Sequence, residues 1–132
     1  MNYKIFNFKS FGDERGELLP LEMHKEVPFD IKRVYFIYNT KPNVVRGKHA
    51  HKHLEQIIIC LKGSCKFILD DGYNTKEILI SKPNVGLYIG KNIWREMKDF
   101  TEDTVLAVIA SAEYTEKEYI RDYDEFIKSI KG

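Results

Sequence analysis

The stretch Arg46-Gly47-Lys48-His49-Ala50-His51-Lys52-His53-Leu54-Glu55-Gln56-Ile57-Ile58-Ile59-Cys60-Leu61-Lys62-Gly63 holds two kinds of extended segment. Gln56–Leu61 is apolar on both alternating faces, so a strand here has to be covered on two sides, as in a sandwich or a closed barrel. Just before it lie three of the chain's four histidines. If that part is extended, His49 and His51 project from the same face. Lys62-Gly63 reads as a turn, which would set Cys60 and Cys65 opposite each other on the strands it joins.

Similar short β-type runs flank this stretch at Ile5–Phe8, Leu18–Glu22, Ile31–Tyr38, Cys65–Leu69, Glu77–Ile80, Gly86–Ile89 and Val105–Ala110. Gly12-Asp13, Asp70-Asp71-Gly72 and Lys82-Pro83-Asn84 separate them as turns. Val105–Ala110 repeats the two-faced apolar pattern. Many short strands at even spacing predict an all-β fold. The end of the chain differs: Tyr123, Phe126, Ile127 and Ile130 recur at helical spacing, and Asp122 precedes Glu125 at the interval of a capping box. A short amphipathic C-terminal helix packed on a sheet is predicted.

A chain of 132 residues suits one domain spanning residues 1–132. Its 21 Lys plus Arg against 20 Asp plus Glu leave a formal charge of +1, so no overall basic field recruits nucleic acid or anionic lipid. No apolar run approaches the ~18 residues of a membrane span, and MNYKIFNFKS lacks the apolar core of a secretory signal. The expectation is a cytoplasmic protein with free thiols at Cys60 and Cys65.

Paired histidines on one strand face can ligate a metal, given a third or fourth ligand. Here the sequence resembles the cupin superfamily, whose metal-binding form has a G-x5-H-x-H-x(3,4)-E-x6-G motif and a second motif ending in a ligand histidine. His49-Ala50-His51, Gln56 and Gly63 follow the first pattern, with Gln56 where the carboxylate ligand belongs. Gly90-Lys91-Asn92-Ile93-Trp94-Arg95 is read against the second, with Arg95 in the place of the histidine and Gly90 and Asn92 departing from the pattern's Pro and Gly. A neutral amide and a cation at those positions weaken a divalent site, so no metal is expected. Glu55 would supply a carboxylate only if the register slipped by one. The resemblance implies a double-stranded β-helix, or jelly roll, with the pocket at one end holding His49.

A longer set of motifs narrows this: Asp13-Glu14-Arg15-Gly16, Ile31-Lys32-Arg33-Val34-Tyr35, Arg46-Gly47-Lys48-His49-Ala50-His51, Gly86-Leu87-Tyr88-Ile89-Gly90, Trp94-Arg95-Glu96-Met97 and Tyr119-Ile120-Arg121-Asp122-Tyr123. Together they resemble the dTDP-4-keto-6-deoxyglucose 3,4-ketoisomerases. The resemblance implies a dTDP-linked 4-keto sugar as substrate and a 3-keto-6-deoxyhexose as product, on the way to 3-amino-3,6-dideoxy sugars. No cofactor is needed. It implies His49 as the base, with Arg95 and Tyr35 as oxyanion donors and His51 orienting the site or shuttling a proton.

Arg46 and Arg15, each next to a glycine, are the first choices for the diphosphate, followed by Arg33 and Arg121. Gln56 is placed with the binding residues, and Trp94 or Tyr88 could stack on thymine. Arg15 and Arg95 occupy positions that vary among relatives, so the C4 configuration of the product stays open. The family is dimeric, which implies a homodimer covering the N-terminal strand. Without the resemblance, Tyr35 reads as a core aromatic; a structural ion pair is the alternative role for Arg33, Arg121 and, less so, Arg95, and His24 and His53 read as solvated. An epimerase acting on the same class of keto sugar and a non-catalytic sugar- or nucleotide-binding cupin are the rival functions.

Overall fold

The computed structural model describes residues 1–132. Twelve strands run in order: β1 (Tyr3–Asn7), β2 (Phe11–Asp13), β3 (Gly16–Leu18), β4 (Arg33–Ile37), β5 (Arg46–His51), β6 (Gln56–Lys62), β7 (Cys65–Asp70), β8 (Thr75–Ile80), β9 (Val85–Ile89), β10 (Trp94–Lys98), β11 (Val105–Ala110) and β12 (Tyr119–Ile120). A 3-10 turn at Glu116–Glu118 precedes β12, and helix α1 (Tyr123–Lys131) ends the fold. One antiparallel sheet has the order β1-β9-β6-β11-β4 and the other β12-β5-β10-β7-β8, with β2 and β3 forming a separate hairpin. Chain neighbours such as β5 and β6, or β9 and β10, thus fall in different sheets, which is the jelly-roll connectivity.

The two-faced strands of the sequence are explained by two apolar layers. Ile58 and Cys60 of β6 and Leu106 and Val108 of β11 face the interior, packing with Phe67, Leu69 and Met97 of the opposite sheet. On the other face, Ile57, Ile59 and Ile109 are covered by Val27 and Phe29, with Leu19, Leu21 and Ile31 beside them. Residues 19–31 are therefore a lid on the outside of the first sheet. The strand expected at Leu18–Glu22 stops at Leu18, because Pro20 has no N–H to offer a ladder.

A third layer lies outside the second sheet, where Phe126 of α1 packs on Ala50 and Trp94. The Asp122 carboxylate accepts the Glu125 N–H at 3.0 Å, so the expected cap is present. Truncating Phe126, which is fully buried, would cost about 3–5 kcal/mol. Gly63 turns the chain between the sheets at φ +75°, and a Cβ there would lie 2.4 Å from Thr101 Oγ1. Cys60 and Cys65 are free and buried, and burial pushes the Cys65 thiol up to about 12. No helix is long and apolar enough to cross a membrane.

Candidate active site

Strand alternation builds the site. On β5 the side chain of Ala50 faces α1, so His49 and His51 turn to the opposite, inner face. Gly47 begins this segment at φ +73°, and a Cβ there would come within 2.4 Å of the Met97 methyl; only glycine lets β5 approach β10 so closely. In that pairing Arg95 lies opposite His49, which carries the guanidinium into the barrel.

Arg95 is 2% exposed. Its Nη1 donates to Gln56 Oε1 at 2.6 Å and its Nη2 to the Ile93 carbonyl at 3.1 Å. Gln56 Nε2 in turn donates to the Tyr35 hydroxyl at 2.9 Å. Because that phenol oxygen accepts from the amide, its own proton is free to point elsewhere. Burial lowers the Arg95 guanidinium to about 10, so it remains a cation at neutral pH. Burial also raises the Tyr35 phenol, keeping it protonated. The result is a cation from the histidines' own sheet and a neutral O–H from the facing sheet, locked together by one amide around a space that His49 also lines.

The two imidazoles meet edge to face with centroids 4.7 Å apart. Burial, then the Arg95 charge, lowers His49 to about 3 and His51 to about 2. Both are therefore neutral at working pH and able to accept a proton. His51 is fully buried, and neither of its ring nitrogens has a hydrogen-bond partner within the protein.

A cavity of about 380 Å³ opens onto this group, its wall including Arg33, Arg46, Tyr114, Tyr119 and Arg121. A small inner extension reaches Gln56 and Arg95. Arg33 stands near the rings of Tyr35 and Tyr114, at 5.1 and 5.7 Å, with Nε and Nη2 unpartnered. Arg121 is bound by Glu116, Nε to Oε1 at 2.5 Å and Nη2 to Oε2 at 3.1 Å. That pair holds the Glu116 carboxyl down at about 2. The cavity is thus cationic in a protein of net charge +1, a local arrangement suited to an anionic ligand.

The donor set does not fit a divalent metal. The one amide oxygen near the histidines is engaged by Arg95, whose charge repels a second cation. Glu55 cannot replace Gln56, since the register turns its carboxylate away to accept from the Tyr88 hydroxyl. No three His, Cys, Asp or Glu side chains converge anywhere in the fold.

Of the residues singled out in the sequence, His49, His51, Tyr35, Arg95, Gln56, Arg33, Arg46 and Arg121 gather here. Arg15, Tyr88 and Trp94 do not. Arg15 lies on the β2–β3 hairpin with its side chain 85% exposed, bonded to Asp13. Tyr88 belongs to the layer outside the first sheet. Trp94 lies beneath α1, its Nε1 donating to Glu96 at 3.0 Å. Each ring is one residue out of phase with its inward neighbours, Leu87 and Arg95, so the expectation that they flank a base is not met within this chain. Tyr119 and Tyr114 were missed. Tyr119 and Arg121 alternate with Ile120, a faint sign that they share a face.

Fold and site define the class: a cupin barrel whose pocket sets imidazoles, a guanidinium and a phenol where metal-binding cupins keep their ligands. Residues 1–131 match the family described as FdtA: WxcM-like, C-terminal, and the chain belongs to that family. It is 52% identical over 130 residues to TDP-4-oxo-6-deoxy-alpha-D-glucose-3,4-oxoisomerase of Aneurinibacillus thermoaerophilus, covering 98% of this chain and 94% of the relative. A 3,4-ketoisomerase from Helicobacter canadensis superposes with a TM-score of 0.98 at 55% identity, over 100% of this chain and 99% of that one. The ketoisomerase QdtA of Thermoanaerobacterium thermosaccharolyticum, solved as a histidine-to-asparagine variant with TDP-4-keto-6-deoxyglucose, superposes with a TM-score of 0.96 at 47% identity, over 98% of this chain and 94% of that one.

Proposed function

We propose that this chain is a dTDP-sugar 3,4-ketoisomerase that converts dTDP-4-keto-6-deoxyglucose to a dTDP-3-keto-6-deoxyhexose. The observation that carries the reading is the neutral His49–His51 pair beside the Arg95–Gln56–Tyr35 chain at the floor of a cationic cavity. Relatives named for this activity across nearly the whole chain support it.

The C4 ketone acidifies the hydrogen on C3. His49 removes that proton, the C–H electron pair forms a C3=C4 double bond, and the former carbonyl oxygen at C4 takes the negative charge. The Arg95 cation and the free Tyr35 O–H stabilise it, already oriented by Gln56 and in a water-poor pocket. A proton then passes from the C3 oxygen to the C4 oxygen, a relay we assign to His51. Return of the proton from His49 to C4 leaves the carbonyl on C3. Oxidation at C3 balances reduction at C4, so the chemistry closes without a redox partner.

Arg33, Arg46 and Arg121 supply charge for the diphosphate. Arg15 has no part in this scheme within one chain, its guanidinium being held by Asp13 outside the cavity. Two copies pair in this reading. The exposed apolar side chains Ile5 on β1 and Val34 and Phe36 on β4, each an edge strand of the first sheet, support that. The product's C4 configuration, gluco or galacto, follows from which face receives the proton. A cytoplasmic location fits a substrate made from nucleotide sugars.

The test is proton NMR of the protein with dTDP-4-keto-6-deoxyglucose in deuterated buffer. A 3-keto product is expected; its deuterium content at C4 reports how far the His49 proton exchanges with solvent before it returns, and the H4 coupling of the product formed in ordinary water gives the configuration. Exchange at C3 without a 3-keto product would instead indicate an epimerase, and binding without exchange a non-catalytic cupin.

A further inference from the structure

A histidine that works as a base is commonly held in one orientation by a hydrogen bond to its second ring nitrogen. His51 has no such partner on either nitrogen. What touches the histidines instead is an aromatic ring. The Tyr119 centroid lies 4.5 Å from that of His51 at an interplanar angle of 65°, and 5.0 Å from that of His49 at 60°. One phenol ring thus packs against both imidazoles, which also pack against each other.

We propose that Tyr119 is the positioning residue of the histidine pair, fixing by packing what a hydrogen-bonded acceptor fixes elsewhere. This rests on the reading of His49 as the base. The ring is itself braced. Tyr119 pairs with His51 across the β12–β5 ladder. The Glu118 carboxylate accepts the backbone N–H of His53 and of Leu54, the latter at 2.7 Å. The Lys52 N–H reaches the Glu118 carbonyl at 3.2 Å. These bonds tie the strap to the turn that follows the histidine strand. The Arg121 guanidinium lies 4.4 Å from the Tyr119 ring centroid, clamped by Glu116. The imidazoles can swing only if this stack yields, and the same ring keeps water from them.

Two variants of the full chain test the role, read by kcat, KM and the pH titration of the imidazole nitrogens in 15N NMR. Tyr119→Phe keeps the ring and should stay within about threefold of wild type in kcat, with unchanged titrations. Tyr119→Leu should lower kcat roughly tenfold or more, KM moving less than about threefold, because misplacing a base costs rate rather than affinity. It should also move the His49 titration up toward the ordinary 6.5 as water reaches the ring.

A Tyr119→Leu protein with wild-type kcat and unmoved titrations overturns the proposal, as does a loss confined to KM. If Tyr119→Leu does not fold, Tyr119→Met, closer in volume and flexible, takes its place with the same outcomes. If the wild-type protein fails to isomerise the sugar, the activity reading falls, and the titration comparison alone decides the role of Tyr119.

Discussion

Replacing Tyr35 with Phe separates the two roles its hydroxyl can have. The oxygen accepts the Gln56 Nε2–H at 2.9 Å, and Gln56 is 2% exposed. Removing that acceptor strands a buried amide donor, which costs about 1–3 kcal/mol of stability. For a chain of this length each kcal/mol is worth roughly 3–5 °C, so Tm should fall by roughly 3–15 °C. The ring stays, so no cavity term is added. If the freed O–H also donates to the oxyanion, kcat should fall by ~10²–10³, the usual loss for one such donor. Thermal unfolding and the rate of 3-keto product formation by NMR, at saturating substrate and well below Tm, give the two numbers separately. A lower Tm with kcat within about threefold of wild type would refute the catalytic part, leaving Tyr35 a partner for Gln56 alone.

His49→Asn should abolish turnover by several decades while TDP affinity, measured by calorimetry, stays within about threefold, since the imidazole moves a proton and does not hold the nucleotide. Arg46→Ala should weaken TDP binding about tenfold and flatten its salt dependence; unchanged affinity would remove Arg46 from the anion site. The folded pKa values of about 3 and 2 for His49 and His51 lie below the unfolded 6.5, so the unfolded chain binds more protons between those limits. Stability should therefore be complete above about pH 6.5 and decline as pH falls through that window. Tm measured at pH 8 and pH 5 should drop less in His51→Asn than in wild type, and equal drops would place the acid sensitivity elsewhere.

The barrel was legible because β6 and β11 are apolar on both faces, a pattern that only a strand covered on two sides shows. The helix was legible from its periodicity and its Asp122 cap. Strand β10 was not, because its inward face pairs Arg95 with Met97 and its outward face Trp94 with Glu96, so each face mixes a charged residue with an apolar one and no alternation shows. The same loss of phase misplaced Trp94, and on β9, buried on both faces, it misplaced Tyr88. The histidine face was readable from spacing alone. The pairing of Arg95 with Gln56 was not, since those residues are far apart in sequence and meet only when the two sheets close. Tyr119 sits on a two-residue strand, too short for any period to register.

Ala50 lies between the two histidines in sequence and, on the opposite face of the same strand, against Phe126 of the C-terminal helix. At nine residues that helix is too short to persist by itself, so it exists as a helix only while docked. If that contact couples docking to the placement of His49 and His51, then by reciprocity a ligand that prefers the ordered histidine strand also steadies the helix. Amide hydrogen exchange in residues 123–131 would then slow when TDP fills the pocket, and a bulky addition at the C-terminus would lower turnover without entering the cavity.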